Sequence, residues 1–264
     1  MSSDGLDLKS FKIPLGRVAP LTTFKTRQGD TLSYRLYPAW SEDLVILYHG
    51  VGSDSRYMCL LAAALAEAKI ATVVTPDFRC HGGSRELSDK ISGQQLEIDL
   101  EELIVHLKSQ RAVSRITLAG HSMGGGFVLR VAVSDIRQQF AKFVAIAPYL
   151  PPDFNVHVPG YAGWITFDEQ GGFRVNMAEL FRTGQEKLSY SAEYVQAVAP
   201  PPQLLSRLEN LKPAVCIVSG ERDEVNQAIR YQEIFAPLKV PVDIVPGLNH
   251  LTIVAKPAPY LAKF

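Results

Sequence analysis

Short runs of consecutive apolar residues alternate with longer stretches of mixed apolar and polar residues through most of this 264-residue chain. An unbroken apolar run is the pattern of a strand covered on both faces, while apolar positions spread at helical spacing mark an amphipathic helix. Segments 21–26 and 32–38, separated by Gly29-Asp30, read as a hairpin that gives the sheet an antiparallel entry. A strand at 44–48, a helix at 57–68, a strand at 70–75 and a helix at 94–110 follow. The rhythm continues with a strand at 115–119, a helix at 123–133 and a strand at 143–147. Later, strands at 214–218 and 241–245 flank a helix at 226–235. The alternation predicts an α/β fold, a mostly parallel, doubly wound sheet of about eight strands.

One stretch breaks the rhythm. Residues 151–212 contain Pro151-Pro152, Pro159, Gly171-Gly172 and Pro200-Pro201-Pro202, interleaved with aromatic residues. An insertion after a core strand accounts for it, and long insertions in compact domains are commonly lids or binding elements. The expected division is a core of residues 1–150 and 213–264 with a cap at 151–212. Within the cap, 165–167 and 173–175 predict a small hairpin, and 178–187 and 203–210 predict helices.

Composition narrows the partners. With 47% apolar and 20% charged residues the chain suits one large domain with a buried core. Lys plus Arg and Asp plus Glu each count 27, without a long basic cluster, so nothing favours nucleic acid or an anionic membrane, and a small molecule is the expected partner. The polar opening Met1-Ser2-Ser3-Asp4-Gly5 and the absence of a span-length apolar stretch predict a soluble, cytoplasmic protein without an integral membrane segment. Three cysteines, Cys59, Cys80 and Cys216, lack paired spacing and agree with a reducing compartment.

The chemistry concentrates at Gly120-His121-Ser122-Met123-Gly124, a G-x-S-x-G pentapeptide between a predicted strand and a predicted helix. A serine on such a turn projects from the sheet edge, and the helix behind it aims free N–H groups at the same point. A serine hydroxyl needs a histidine to accept its proton and a carboxylate to orient that histidine. With this nucleophile turn the chain order is serine, acid, histidine. Asp223 follows the strand ending at Val218, with Asp153, Glu221 and Glu224 as alternative acids, and His250 follows the last strand. Both positions lie at strand carboxyl ends, where open α/β sheets carry their sites. The glycine-rich loop His49-Gly50-Val51-Gly52 places the Val51 amide beside that of Met123 as oxyanion donors. His49, His106 and His157 read as structural or incidental.

The marks His49-Gly50, Asp77-Phe78-Arg79-Cys80-His81-Gly82-Gly83-Ser84, Gly120-His121-Ser122-Met123-Gly124-Gly125, Asp223 and His250 together resemble the α/β-hydrolase fold. Within it, the chain is similar to the serine-hydrolase branch of monoacylglycerol lipases, lysophospholipases, carboxylesterases and serine aminopeptidase-type proteins, from Phe24 to His250. The second mark departs from the branch's D-x-R-G-H-G-x-S loop, because Cys80 stands where glycine is usual. The resemblance implies that this loop is structural, with Asp77 and Arg79 tying strand to loop, and that a cap covers the site.

A serine triad with an oxyanion hole implies acyl transfer without metal or organic cofactor. The aromatic residues of the cap suit an apolar acyl chain or aromatic group, with Trp164 as the candidate substrate contact. The expected activity is hydrolysis of such an ester through an acyl-enzyme. An acyl thioesterase, or a weakly catalytic ligand receptor on the same fold, is the alternative.

Overall fold

The computed structural model describes residues 13–159, 165–177, 179, 182, 184–209, 211 and 214–264. Eight strands form one sheet: β1 (Leu21–Lys25), β2 (Thr31–Tyr37), β3 (Leu44–Tyr48), β4 (Thr72–Pro76), β5 (Ile116–His121), β6 (Lys142–Ile146), β10 (Ala214–Gly220) and β11 (Val242–Val245). Their spatial order is β1-β2-β4-β3-β5-β6-β10-β11. The hairpin partner β2 meets β4 antiparallel, and from β4 onward all pairings are parallel. The strand that leads into Ser122, β5, is therefore central, flanked by β3 and β6.

Helices cover both faces, as the all-apolar strands require. Leu44, Ile46 and Tyr48 of β3 face one core with α2 (Gln95–Gln110) and α3 (Met123–Ala132), while Val45 and Leu47 face the other with α1 (Cys59–Glu67). β4 starts two residues later than the alternation predicts. Lys69 turns into the left-handed region at φ 57° and the Ile70 amide closes back on Leu65 O, so Ile70 completes the end of α1 rather than beginning a strand. Between β10 and β11 the chain passes through α6 (Ala228–Phe235), and after β11 it closes with the short α7 (Thr252–Ala255) and a 3₁₀ turn, Ala258–Lys263, whose Tyr260 is buried and donates to Ile253 O. Among the described residues no helix is long and apolar enough to cross a membrane.

The segment between β6 and β10 builds its own three-stranded antiparallel sheet from β7 (Ile165–Phe167), β8 (Phe173–Val175) and β9 (Ser189–Tyr190), followed by α4 (Ala192–Val198) and α5 (Leu204–Leu208). The predicted hairpin is present. Of the predicted helix at 178–187, residues 178, 180, 181 and 183 lie outside the described residues, and 184–187 are loop leading into β9. Patterning alone missed β9 and α4. Two residues are too few for a period-2 signal, and both elements carry their buried tyrosines, Tyr190 and Tyr194, on surfaces that only tertiary packing defines.

Asp77 and Arg79 brace the loop after β4. Asp77 accepts from Ser33 Oγ, the Ser55 amide and the Gly83 amide, and Arg79 pairs with Asp99 through two nitrogens and with Asp30 through one. Cys80 sits at φ 70°, which shows why a glycine suits this position: the backbone there is left-handed, and a Cβ makes it strained.

Candidate active site

Ser122 stands between β5 and α3 with φ 53° and ψ −115°, a conformation that costs a non-glycine residue about 1–3 kcal/mol and persists only when its surroundings enforce it. Hydrogen bonds enforce it here. The Ser122 amide donates to Ile146 O at 2.9 Å, and Ser122 O accepts from the Gly126 and Tyr149 amides at 2.9 and 2.8 Å. The turn also needs room. A Cβ on Gly120 would lie 2.4 Å from Gly124 O, and one on Gly124 would lie 2.6 Å from His49 O. These two glycines therefore let α3 approach β3 and β5 closely.

Asp223 follows β10. Its Oδ1 accepts from the Val225 and Asn226 amides at 2.9 and 2.8 Å, which fixes the carboxylate and turns Oδ2 to His250 Nδ1, 2.8 Å away. Both side chains are buried. Burial alone would lower the His250 pKa, but the charge of Asp223, its hydrogen bond and the charge of Glu224 outweigh that and leave it raised above the usual imidazole value. His121, the residue before Ser122, donates from Nε2 to His250 O at 2.8 Å, so the His250 loop is fastened to the Ser122 turn.

The alternative acids fall elsewhere. Asp153 is exposed on a 3₁₀ turn, Glu221 accepts from the Gly247 amide, and Glu224 accepts from the His250 backbone amide at 3.0 Å rather than from the ring. Glu224 thus holds the backbone of the histidine whose ring Asp223 holds.

The Val51 loop lies against the turn, with a Cβ on Gly50 only 3.2 Å from Ser122 Cβ. Among the described residues neither the Val51 nor the Met123 amide donates to a protein acceptor. His49 is structural: its Nδ1 faces Gly50 O at 2.9 Å and its Nε2 accepts from the Phe78 amide at 3.2 Å. His106 stacks on Phe24 at 4.8 Å on the far helix α2.

Above Ser122 lies a cavity with about 530 Å³ of space including its open mouth. Val51, Ser122 and Met123 form its floor, and Ile165, Phe167, Phe173, Val195 and Val198 of the inserted segment form its walls. Tyr149 and His157, stacked 5.8 Å apart, also line it, so His157 is not incidental as the sequence reading had it. His157 Nδ1 lies 2.9 Å from Asn226 Oδ1, which joins the wall to the Asp223 loop. An antiparallel bridge between His157 and Asn226 brings the two segments together, and no local motif announces it. Trp164 lies outside the described residues.

The α/β-hydrolase family model matches residues 44–263, from the first parallel strand through the histidine loop to the closing turn. The chain belongs to the alpha/beta hydrolase family. Over 120 residues this hydrolase-family chain is 32% identical to uncharacterized proteins of Mycobacterium bovis and Mycobacterium tuberculosis, a match covering 45% of the chain and 33% of each relative. The chain thus spans about a third of the length of the curated relatives it matches. Among solved structures it is similar to a soluble variant of monoglyceride lipase from Saccharomyces cerevisiae, with TM-score 0.68 and 16% identity over 96% of this chain and 97% of that one. It is also similar to the Pyrococcus furiosus esterase Pf2001, with TM-score 0.63 and 21% identity over 97% and 91%. At these identities the likeness establishes the fold.

Proposed function

We propose that this α/β hydrolase is a serine hydrolase that cleaves a carboxylic ester with an apolar acyl or aromatic group through an acyl-enzyme. The observation that carries the reading is the His250 ring, bonded to a fully oriented Asp223 on a loop fastened through His121 to the turn of a strained serine, which itself lies on the floor of an apolar cavity. The segment 151–212 acts as the cap that closes over the substrate.

Ser122 Oγ attacks the ester carbonyl while His250 Nε2 takes its proton. Asp223 keeps the other ring proton on Nδ1 and stabilises the imidazolium that forms. The carbonyl oxygen becomes an oxyanion and is received by the Val51 and Met123 N–H groups, the latter at the positive end of α3. His250 then protonates the departing alkoxide, leaving the acyl group on Ser122. Water, deprotonated by the same ring, attacks the acyl-enzyme and releases the acid. The apolar walls hold the acyl chain, at about 0.8 kcal/mol per buried methylene.

The test is intact-protein mass after reaction with a fluorophosphonate, followed by peptide mapping and turnover on p-nitrophenyl esters and acyl thioesters of increasing chain length. The expected result is one adduct, on Ser122, abolished in Ser122→Ala, with esters turned over faster than thioesters. Faster thioester turnover would move the substrate class. Hydrolysis retained by folded Ser122→Ala would remove Ser122 from the nucleophile role.

A further inference from the structure

The loop carrying the Val51 amide is fastened at both ends, and one fastening comes from the inserted segment. At the near end Gly50 O accepts from Ser53 Oγ at 2.8 Å and faces His49 Nδ1 at 2.9 Å. Because His49 Nε2 already accepts from the Phe78 amide, its ring proton sits on Nδ1 and donates to Gly50 O. A trans peptide points its C=O and N–H in opposite directions, so drawing Gly50 O inward turns the Val51 N–H outward.

At the far end Gly52 adopts φ 67°, and its N–H donates to Tyr190 Oη at 2.7 Å. Tyr190 lies on β9, 138 residues further along the chain, with its ring stacked 4.6 Å from Phe173. The same phenol oxygen lies 2.8 Å from His81 Nε2, and His81 Nδ1 lies 3.0 Å from Arg79 O. A carbonyl only accepts, so the His81 proton is on Nδ1, Nε2 accepts the Tyr190 hydroxyl proton, and the phenol lone pairs remain for Gly52. Each donor then has its acceptor, from Gly52 through Tyr190 and His81 to Arg79. Burial holds His81 neutral well below its usual pKa and keeps the Tyr190 phenol protonated, so the chain does not titrate near neutrality.

We propose that Tyr190 is a positioning residue for the oxyanion hole. Its hydroxyl fixes the Val51–Gly52 peptide and thereby aims the Val51 N–H at the substrate carbonyl, so that the hole is complete only when the inserted segment is seated on the core. This rests on the serine-hydrolase reading above. The flanking glycines make the support necessary, because a loop with Gly50 and Gly52 around its donor has wide backbone freedom of its own. Tyr190 acts through the loop and takes no part in proton transfer.

The test compares Tyr190→Phe with wild type in hydrolysis of p-nitrophenyl butyrate, inhibition by an alkyl trifluoromethyl ketone and fluorophosphonate labelling. Phenylalanine keeps the stack on Phe173 and removes the acceptor. Removing an oxyanion donor costs about a hundred- to a thousandfold in kcat, and loosening one costs less, about ten- to a hundredfold. The expected result is that fall in kcat with KM moved less than about threefold, and an equal loss in binding of the ketone, whose adduct places an oxyanion in the hole. Tyr260→Phe removes another buried hydroxyl, bonded to Ile253 O beyond the sheet, and is expected to lower stability without changing kcat. If Tyr190→Phe does not fold, His81→Ala, which unfastens the phenol, is expected to give the same split. A kcat within about twofold of wild type in the folded variant, on protein that labels at Ser122, overturns the proposal and leaves the hydrolase reading standing. An equal fall of kcat in Tyr260→Phe also overturns it, and absence of label on wild-type Ser122 overturns both.

Discussion

Asp223→Asn separates the orientation of His250 from the architecture around it. The asparagine has two placements. In one, its amide oxygen keeps the Val225 and Asn226 N–H groups and its NH₂ faces His250 Nδ1. In the other, the NH₂ faces the two backbone donors, leaving both buried amides unsatisfied at about 1–3 kcal/mol each. The first placement wins by that margin. His250 must then accept at Nδ1, so its proton moves to Nε2, the atom that should receive the Ser122 proton. The proposed base is then lost while the fold is kept. A wrong tautomer of this kind costs about ten-thousandfold in kcat, roughly 5.4 kcal/mol of transition-state stabilisation. Steady-state hydrolysis of p-nitrophenyl butyrate at neutral pH, with a thermal melt of the same preparation, reads both quantities. A melting temperature near that of wild type with kcat down three to five decades is expected. A kcat within about tenfold of wild type would refute the reasoning and pass the orienting role to Glu224, which already bonds the His250 amide.

The pH profile follows from the raised pKa of His250. In the proposed mechanism the neutral ring is the base, so kcat/KM should fall as pH drops through the His250 value, with the midpoint above the ordinary imidazole range, and a midpoint below that range would contradict the dominance of Asp223 and Glu224 over burial. The same shift favours the charged ring in the folded state. Its contribution to stability is full below the unfolded pKa of about 6.5 and is lost as pH rises through the raised folded value, which denaturant melts across that window would record. Val198→Phe, on a cavity wall, should shorten the preferred p-nitrophenyl ester by about two carbons, because the added ring displaces that length of chain, and an unmoved optimum would place the acyl group elsewhere.

The strands at the heart of the sheet were legible because their apolar runs are short, sharply bounded and buried on both faces, a local property of the chain. Chain order likewise put Asp223 and His250 at strand ends, and the fold packs those two side chains together. The inserted segment was legible in part. Its hairpin has a glycine turn between two triplets that alternate apolar and polar residues, whereas β9 is two residues long and gains its place from what it touches, Gly52 and His81. The sequence favoured Asp223 but left Asp153, Glu221 and Glu224 open beside it, since three carboxylates within four residues share one local pattern. The Val225 and Asn226 amides that capture Oδ1, and the His250 amide that captures Glu224, make the choice in three dimensions.

The sequence by itself determined the family, the order of the sheet-forming segments and the serine turn, because each is written in contiguous residues whose periodicity and backbone freedom are local. Only the tertiary structure decided which acid meets the His250 ring, that His157 walls the cavity, and that Tyr190 reaches the Gly50–Gly52 loop. Those pairings join residues 27, 69 and 138 positions apart, and hydrogen-bond geometry at such separations is set by how helices and strands pack.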